Sequence, residues 1–411
     1  MVSLIKRREL RINTNTSTYK GLWQELKPPA PIPSRRCHHS ASMVNSKLVI
    51  YGGQDITVGV FNDLWLLNID NINPQNEHWY NIIATGEYPG PLCRHSAVVY
   101  NGEIYIYGGT DGDNENSYLY RLNLESLIWT KYQGPSPGVD SHSAIVHNDL
   151  MVIFGGYQGG SVVNNLYIQS LSNFIWTKKE LNLQPSPRAN HRGVLHNGSM
   201  WIYGGRSSDS YYLDELWKLN LDDWNWNLIE YTGISPGVVS AHSACVCGGV
   251  MLVFGGVRDM LKETNEMFSY DFASNNWVLV QSEIDIEDPI SDKDKSDYVN
   301  VPAKCKNSFV SKKSLVAVDY PWHSFSGSDM KKPKHRRNRS HRNAEEFVKK
   351  VYHGPPAVNK GRVRGKIPHS RDGHTANVYE DTMVIFGGDR HQMAFNDVYF
   401  YTITEKILKG N

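Results

Sequence analysis

No run of about 18 consecutive apolar residues occurs in this 411-residue chain, so no membrane-spanning helix is expected. Charge of one sign is also lacking: 43 Lys and Arg stand against 42 Asp and Glu, for a formal net charge of +1. That balance excludes a strong whole-molecule field for nucleic acid or anionic membranes. Cysteine is sparse, with five residues: Cys37, Cys93, Cys245, Cys247 and Cys305. Their odd number, and the lack of paired CxxC motifs, argue against a zinc site or disulfide framework. Free thiols in a reducing compartment are expected instead. Lys6, Arg7 and Arg8 bring charge before any apolar h-region has formed, so no secretory leader is expected. The resulting expectation is a cytoplasmic protein, with the nucleus as a second location.

Glycine, by contrast, is plentiful at 34 residues, alongside 23 Tyr and 11 Trp. These are residues of tight turns and of strands. The chain is longer than one ordinary core holds, but a repeat architecture carries such a length as a single closed unit. A repeat is present. Six glycine doublets follow apolar runs: Gly52-Gly53, Gly108-Gly109, Gly155-Gly156, Gly204-Gly205, Gly255-Gly256 and Gly387-Gly388. An aromatic residue precedes each (Tyr51, Tyr107, Phe154, Tyr203, Phe254, Phe386). A histidine stands 13 positions before each (His39, His95, His142, His191, His242, His374). Another doublet, Gly248-Gly249, lies inside a unit and reads as a hairpin turn.

Each unit divides into four short strand patterns. Strand a starts near the histidine and strand b runs into the doublet. Strand c carries Trp65, Tyr120, Tyr167, Trp217, Phe268 or Tyr399. Strand d opens near Trp79, Trp129, Trp176, Trp226 or Trp277. The apolar run into Gly-Gly, the strand c aromatic and the strand d Trp resemble the kelch repeat, and the resemblance covers nearly the whole chain outside residues 284–366. It implies an all-β, six-bladed propeller, with strand c aromatics and strand d tryptophans filling the space between blades. The sixth unit lacks a following Trp, and Leu22–Leu26 supplies the missing strand from the N-terminal side. Pairing of that segment with the last three strands is expected to close the ring and remove its edges.

Unit spacing is 47 to 56 residues, except for 132 between the fifth and sixth doublets. The expected organisation is therefore blades one to five plus the closing strand over 20–283, a charged and disordered insertion over 284–366, and blade six over 367–411. One short helix is expected within the insertion over 344–352. A degraded seventh blade around Trp322 is the structural alternative. The basic run Lys331, Lys332, Lys334, Arg336, Arg337 and Arg339 reads as a solvated linker, a nuclear-import signal or an anion contact.

Catalytic chemistry finds little support. Six histidines at equivalent repeat positions are better explained by hydrogen bonds within or between blades than by a metal. Ser96, Ser143 and Ser243 follow them at one repeat position, without an orienting third residue. Cys245 and Cys247 share a strand face and read as core. Kelch-like enzymes include copper oxidases and metal-dependent specifier proteins. Neither residue set is matched here; Glu263 and Glu266 stand without the rest. No cofactor or metal is implied, and the expectation is a non-enzymatic protein-interaction scaffold or adaptor. A metal-dependent enzyme and a nuclear factor acting through the basic insertion are the alternatives.

The resemblance places ligand contacts on the loops between strands b and c and between strands d and a. In kelch proteins that grip acidic peptides, arginines just after Gly-Gly and just before strand a do much of the binding. That implies a partner site over blades four to six, formed by Arg188, Arg206, Asp209, Tyr211, Arg258, Arg371, Arg390 and His391. The expected partner is a protein or peptide, with a small GTPase or an acidic segment as candidates, and not nucleic acid or a membrane. The alternative for the arginines before strand a is a structural role within the repeat.

Overall fold

The computed structural model describes residues 17–69, 79–258, 262–282 and 362–408, and among these no helix occurs. Six antiparallel four-stranded sheets carry the repeat. In blade one, Ser40–Val44, Lys47–Tyr51, Leu64–Asn68 and Trp79–Ile82 are strands a to d. Blade five runs Ser243–Cys247, Val250–Phe254, Met267–Asp271 and Asn276–Leu279. Its first hairpin turns at Gly248-Gly249, whose φ of 57° and 79° suit the tight turn that two-residue hairpins need. Strands a of neighbouring blades contact one another in a closed cycle of six. The expected propeller is the fold.

Blade six is assembled from both ends of the described chain. Its strands Thr375–Tyr379, Thr382–Phe386 and Val398–Leu408 are completed by Ser17–Leu26, which pairs antiparallel with Val398–Leu408 from Ser17↔Leu408 to Leu26↔Val398. The closing strand thus takes the place of strand d, as its Trp suggested. Arg362–Arg364, assigned from sequence to the insertion, instead form a strand on the outer edge at Gln24–Leu26. The helix expected over 344–352, Trp322 and the basic run 331–339 lie outside the described residues.

The glycine doublets have a steric cause. Gly52 and Gly53 have φ of 63° and 92°, a region costly for residues with a Cβ. A Cβ on Gly52 would lie 2.2 Å from the Leu92 carbonyl oxygen of the next blade. The tight approach lets the Gly53 N–H donate to that same oxygen at 2.9 Å. The same bond recurs at every interface, from Gly109 to Val139, Gly156 to Arg188, Gly205 to Val239, Gly256 to Arg371 and Gly388 to Arg36.

The core is divided among the six interfaces rather than gathered at one centre. Each strand d Trp packs on the aromatic that ends strand b of the preceding blade, with ring centroids 4.7–5.4 Å apart (Trp79 on Phe386, Trp129 on Tyr51, Trp176 on Tyr107, Trp226 on Phe154, Trp277 on Tyr203). Trp23 of the closing strand meets Phe254 at 5.3 Å in the same way. It is buried in a cluster that includes Tyr399 and Tyr401 of its own blade and Met267 of blade five. Aromatic burial of this kind supplies roughly 150–250 Å² per ring. No blade can bury its faces alone, so the ring is the unit that folds.

Deleting residues 1–27 is expected to leave a protein that aggregates or fails to melt cooperatively. Trp23→Ala is expected to cost about 3–5 kcal/mol, as buried Trp truncations do. A truncated chain with an unchanged melting curve would refute the closing role.

Candidate functional site

The loops expected to bind a partner are set out by a ring of backbone bridges. The residue after each doublet pairs with the residue two before the histidine of the same blade. The pairs are Cys37 with Gln54, Cys93 with Thr110, Asp140 with Tyr157, Ala189 with Arg206, Ser240 with Val257, and Asp372 with Asp389. The d–a and b–c loops therefore meet on one face. Next to them, the residues directly before the histidines form a second ring. His38, Arg94, Ser141, Asn190, Ala241 and Gly373 all have φ of 54–59°. Each donates its N–H to the same position of the preceding blade at 2.7–3.0 Å, and the last bond closes the cycle from His38 to Gly373.

The arginines before strand a are structural. Arg371 is fully buried; it donates to the Gly387 carbonyl at 2.8 Å and to both carboxylate oxygens of Asp397 at 2.6 and 2.9 Å. Arg36 repeats this on Gly52 and Asp63, and Arg188 on Gly204 and Glu215. Each guanidinium ties the doublet to the acid ten or eleven residues beyond it, so the loop base is clamped by a fork that suits carboxylate geometry. Arg188 and Arg371 are thus withdrawn from the partner surface. At this repeat position the other blades carry Leu92, Val139 and Val239, all buried.

The other nominated residues remain at or near the surface. Arg206 is half-buried and its guanidinium donates to the Ser210 hydroxyl at 2.8 Å. Asp209 is exposed, and Tyr211 is 72% exposed at the tip of the same loop. The Arg206 charge also acts on the Tyr157 and Tyr212 phenols, which burial otherwise pushes above their usual range. Arg258 is engaged, ion-paired to Glu266 at 2.5 Å and seated 5.2 Å over the Phe268 ring. Arg390 is exposed. His391 contacts Glu263 of the blade five loop through both its ring, at 3.2 Å, and its backbone N–H, at 3.1 Å.

The blade five and six sector sets the acids Asp372, Asp389, Glu263 and Glu266 beside Arg258, Arg390 and His391. Burial, a hydrogen bond with Asp389 and the Glu263 charge hold the Asp372 carboxyl well above the ordinary range. The loop face is therefore divided: a cation among tyrosines on blade four, and an acidic group across blades five and six. Sequence reasoning missed the acids because Asp372 and Asp389 lie 17 residues apart, and only the register of the bridge joins them.

The six histidines hold neighbouring blades together. Each imidazole lies edge-on to the aromatic of the preceding blade, at 5.1–6.0 Å. Five share a hydrogen bond with a hydroxyl of that blade: His39 with Thr375, His95 with Ser40, His142 with Ser96, His191 with Ser143 and His374 with Ser243, at 2.7–3.0 Å. Burial drives all six below their ordinary value of 6.5, and His95, His142 and His242 down to about 3. The sixth position breaks the pattern with Arg192, which sequence reasoning also missed. The signal was available, since Ser or Thr follows every other histidine of the series. Cys37, Cys93, Cys245 and Cys247 are unpaired and buried, and burial pushes the Cys93 and Cys247 thiols to about 11.

Two expectations follow. Arg371→Ala should lower stability by about 3–5 kcal/mol, because it strands a partner of a buried pair; chemical denaturation measures it, and a cost under about 1 kcal/mol would return Arg371 to the surface. The histidines set the acid limit. Below pH 6.5 the unfolded chain binds more protons than the folded one, so stability present at neutral pH declines as pH falls from 6.5 toward 3. Denaturant midpoints should already fall between pH 7 and 5, and His142→Gln should reduce the slope.

The model described as the KLHDC2/KLHL20/DRC7 Kelch-repeats domain matches residues 8–182 and 133–294. Over 284 residues the chain is 28% identical to the Leucine-zipper-like transcriptional regulator 1 homolog of Drosophila melanogaster, a match covering 67% of this chain and 24% of that protein. It is 24% identical to Kelch domain-containing protein 10 of Rattus norvegicus, covering 65% and 66% of the two chains. With Kelch domain-containing protein 3 of Homo sapiens it shares 27% identity over 266 residues, 59% of this chain and 68% of that one. The chain thus spans about a quarter of the fly relative and just under two thirds of the rat one.

Proposed function

Because the chain belongs to the kelch-repeat family, we propose that it is a protein-interaction scaffold that holds one partner segment against the divided loop face. The observation that carries this reading is the blade four loop. Arg206 and Tyr211 are of the residue types that dominate binding hot spots. Tyr211 stands clear of the surface, and the Arg206 guanidinium donates to a hydroxyl rather than to a carboxylate. A charge with no counter-ion among the described residues, on a rigid base, is ready to take an acidic partner residue, and its loop needs no reordering. Ser207 and Tyr211 close the loop on itself with a 2.8 Å backbone bond.

The acidic group of Asp372, Asp389 and Glu263 adds the opposite requirement. A segment that places a carboxylate on Arg206 and a hydrogen-bond donor or cation over blades five and six fits both halves. Charge complementarity of that kind fixes direction and register more than it adds affinity. The buried, unpaired thiols support work in a reducing compartment such as the cytoplasm. Arg390 and His391 form the far rim of the proposed contact.

The test is affinity capture with the intact protein and with an Arg206→Glu, Tyr211→Ala variant, both checked by circular dichroism. Loss of specific partners is expected, at about 2 kcal/mol or more per hot-spot residue. Partners that persist unchanged would move the binding surface elsewhere on the propeller.

A further inference from the structure

One position in the propeller is a cation where the repeat places a hydroxyl. The residues following the six histidines are Ser40, Ser96, Ser143, Arg192, Ser243 and Thr375, and the next residues are five alanines and Gly193. Five hydroxyls bond the histidine of the following blade. At the sixth, His242 keeps neither ring nitrogen partnered, although both are buried. Arg192 instead donates its Nε to the His242 carbonyl at 2.7 Å. No acceptor among the described residues takes up its two terminal nitrogens, and no carboxylate pairs with it. Burial alone acts on the guanidinium.

Arg192 projects into a cavity of about 130 Å³ on the propeller axis, to which the starts of strand a in all six blades contribute. Among the described residues it is the one arginine, lysine or acid in the lining. The surrounding imidazoles are kept neutral by burial and by Arg192 itself, whose charge bears on His39, His142, His191, His242 and His374. His38 of the adjacent ring is depressed by burial, Arg94 and Arg192. A guanidinium cannot escape its charge by losing a proton at any ordinary pH. Arg192 is half-buried, and a charge held in the wall of the ring without a counter-ion among the described residues is disfavoured. Arg192 therefore calls for an anion that the chain itself does not provide.

The hydroxyls around it are suited to the same ligand. Nδ1 of every one of the six histidines is buried without a partner. Placing the ring proton on Nε2 leaves Nδ1 a bare lone pair instead of a stranded N–H, and makes Nε2 the donor to the hydroxyl oxygen. The hydroxyl hydrogens are then free to point at the axis, except that of Ser243, which donates to the Phe254 carbonyl at 3.5 Å. Gly193 keeps one of them unobstructed, since a Cβ there would lie 3.0 Å from Ser143 Oγ. A fork of guanidinium N–H groups and a circle of O–H donors, with no acidic side chain in the lining, describes a receptor for an oxyanion.

We propose that the axial cavity binds a small free oxyanion, with inorganic phosphate as its representative, on the Arg192 guanidinium. Unlike the partner contact of the loop face, this site lies inside the ring of blades and draws on all six. A bound oxyanion neutralises the cation and ties the strand a starts together, so it acts as an internal staple of the ring.

The experiment uses the full chain dialysed free of phosphate and sulfate. Inorganic phosphate is titrated by calorimetry, and the melting temperature is followed against phosphate at constant ionic strength. Saturable one-to-one binding is expected, with a melting temperature that rises and levels off. Arg192→Ser restores the repeat hydroxyl opposite His242, so it should fold as well as the parent and bind phosphate at least about tenfold more weakly, as loss of a charge-assisted donor implies. Arg192→Lys should keep part of the affinity. Equal binding by the Arg192→Ser protein overturns the assignment. If that variant does not fold, the parent protein decides alone: a melting temperature no more responsive to phosphate than to chloride at matched ionic strength overturns the proposal.

Discussion

At every blade boundary a glycine N–H reaches a carbonyl of the next blade, and it does so through space that no side chain occupies. The rest of the ring follows from that approach. With the strand b end held 2.8–2.9 Å from the neighbour's carbonyl, the aromatic just before the doublet is fixed in the gap. The strand d Trp and the strand a histidine of the next blade then have one surface on which to pack. A residue larger than glycine would push the blades apart and loosen aromatic, tryptophan and histidine together. Three repeat features that look separate in the sequence therefore express one contact.

The arginine clamps extend the same logic outward. Three blades fill the position before strand a with an arginine and three with Leu or Val. Both solutions are buried, one by bonding a doublet carbonyl and an acid, the other by apolar packing. The loops above inherit a rigid base in either case. Variation in the loops can then change what the face presents without disturbing the ring, which is how a stable scaffold carries differing contacts.

Much of this was legible in the chain. The 13-residue offset between histidine and doublet identified the blades, and Trp23 identified the closing strand, because both depend on spacing and residue type. Side-chain direction was not legible. Arg188 and Arg371 look like surface cations when read singly, and only their bonds to Glu215 and Asp397 show them turned inward. An arginine sharing a repeat position with Leu92, Val139 and Val239 was the available clue. The acidic group across blades five and six was hidden for a different reason: Asp372, Asp389 and Glu263 come from three loops, and folding alone makes them neighbours. Arg192 was hidden by its ordinariness, since its meaning lies in what the other five blades place there.

The closing strand has a mechanical consequence. Ser17 lies opposite Leu408 and Leu26 opposite Val398, so the two free ends of the seam emerge side by side. Tension applied to the two tails would load the hydrogen bonds of this seam one after another, as a zipper is opened, rather than all at once in shear. In blades one to five, strands a to d follow one another in the chain, each joined to the next by a loop and shielded from such a load. The seam that completes the propeller is thus the place where a pulling force would open it first, and the six equivalent blades are mechanically unequal for that reason.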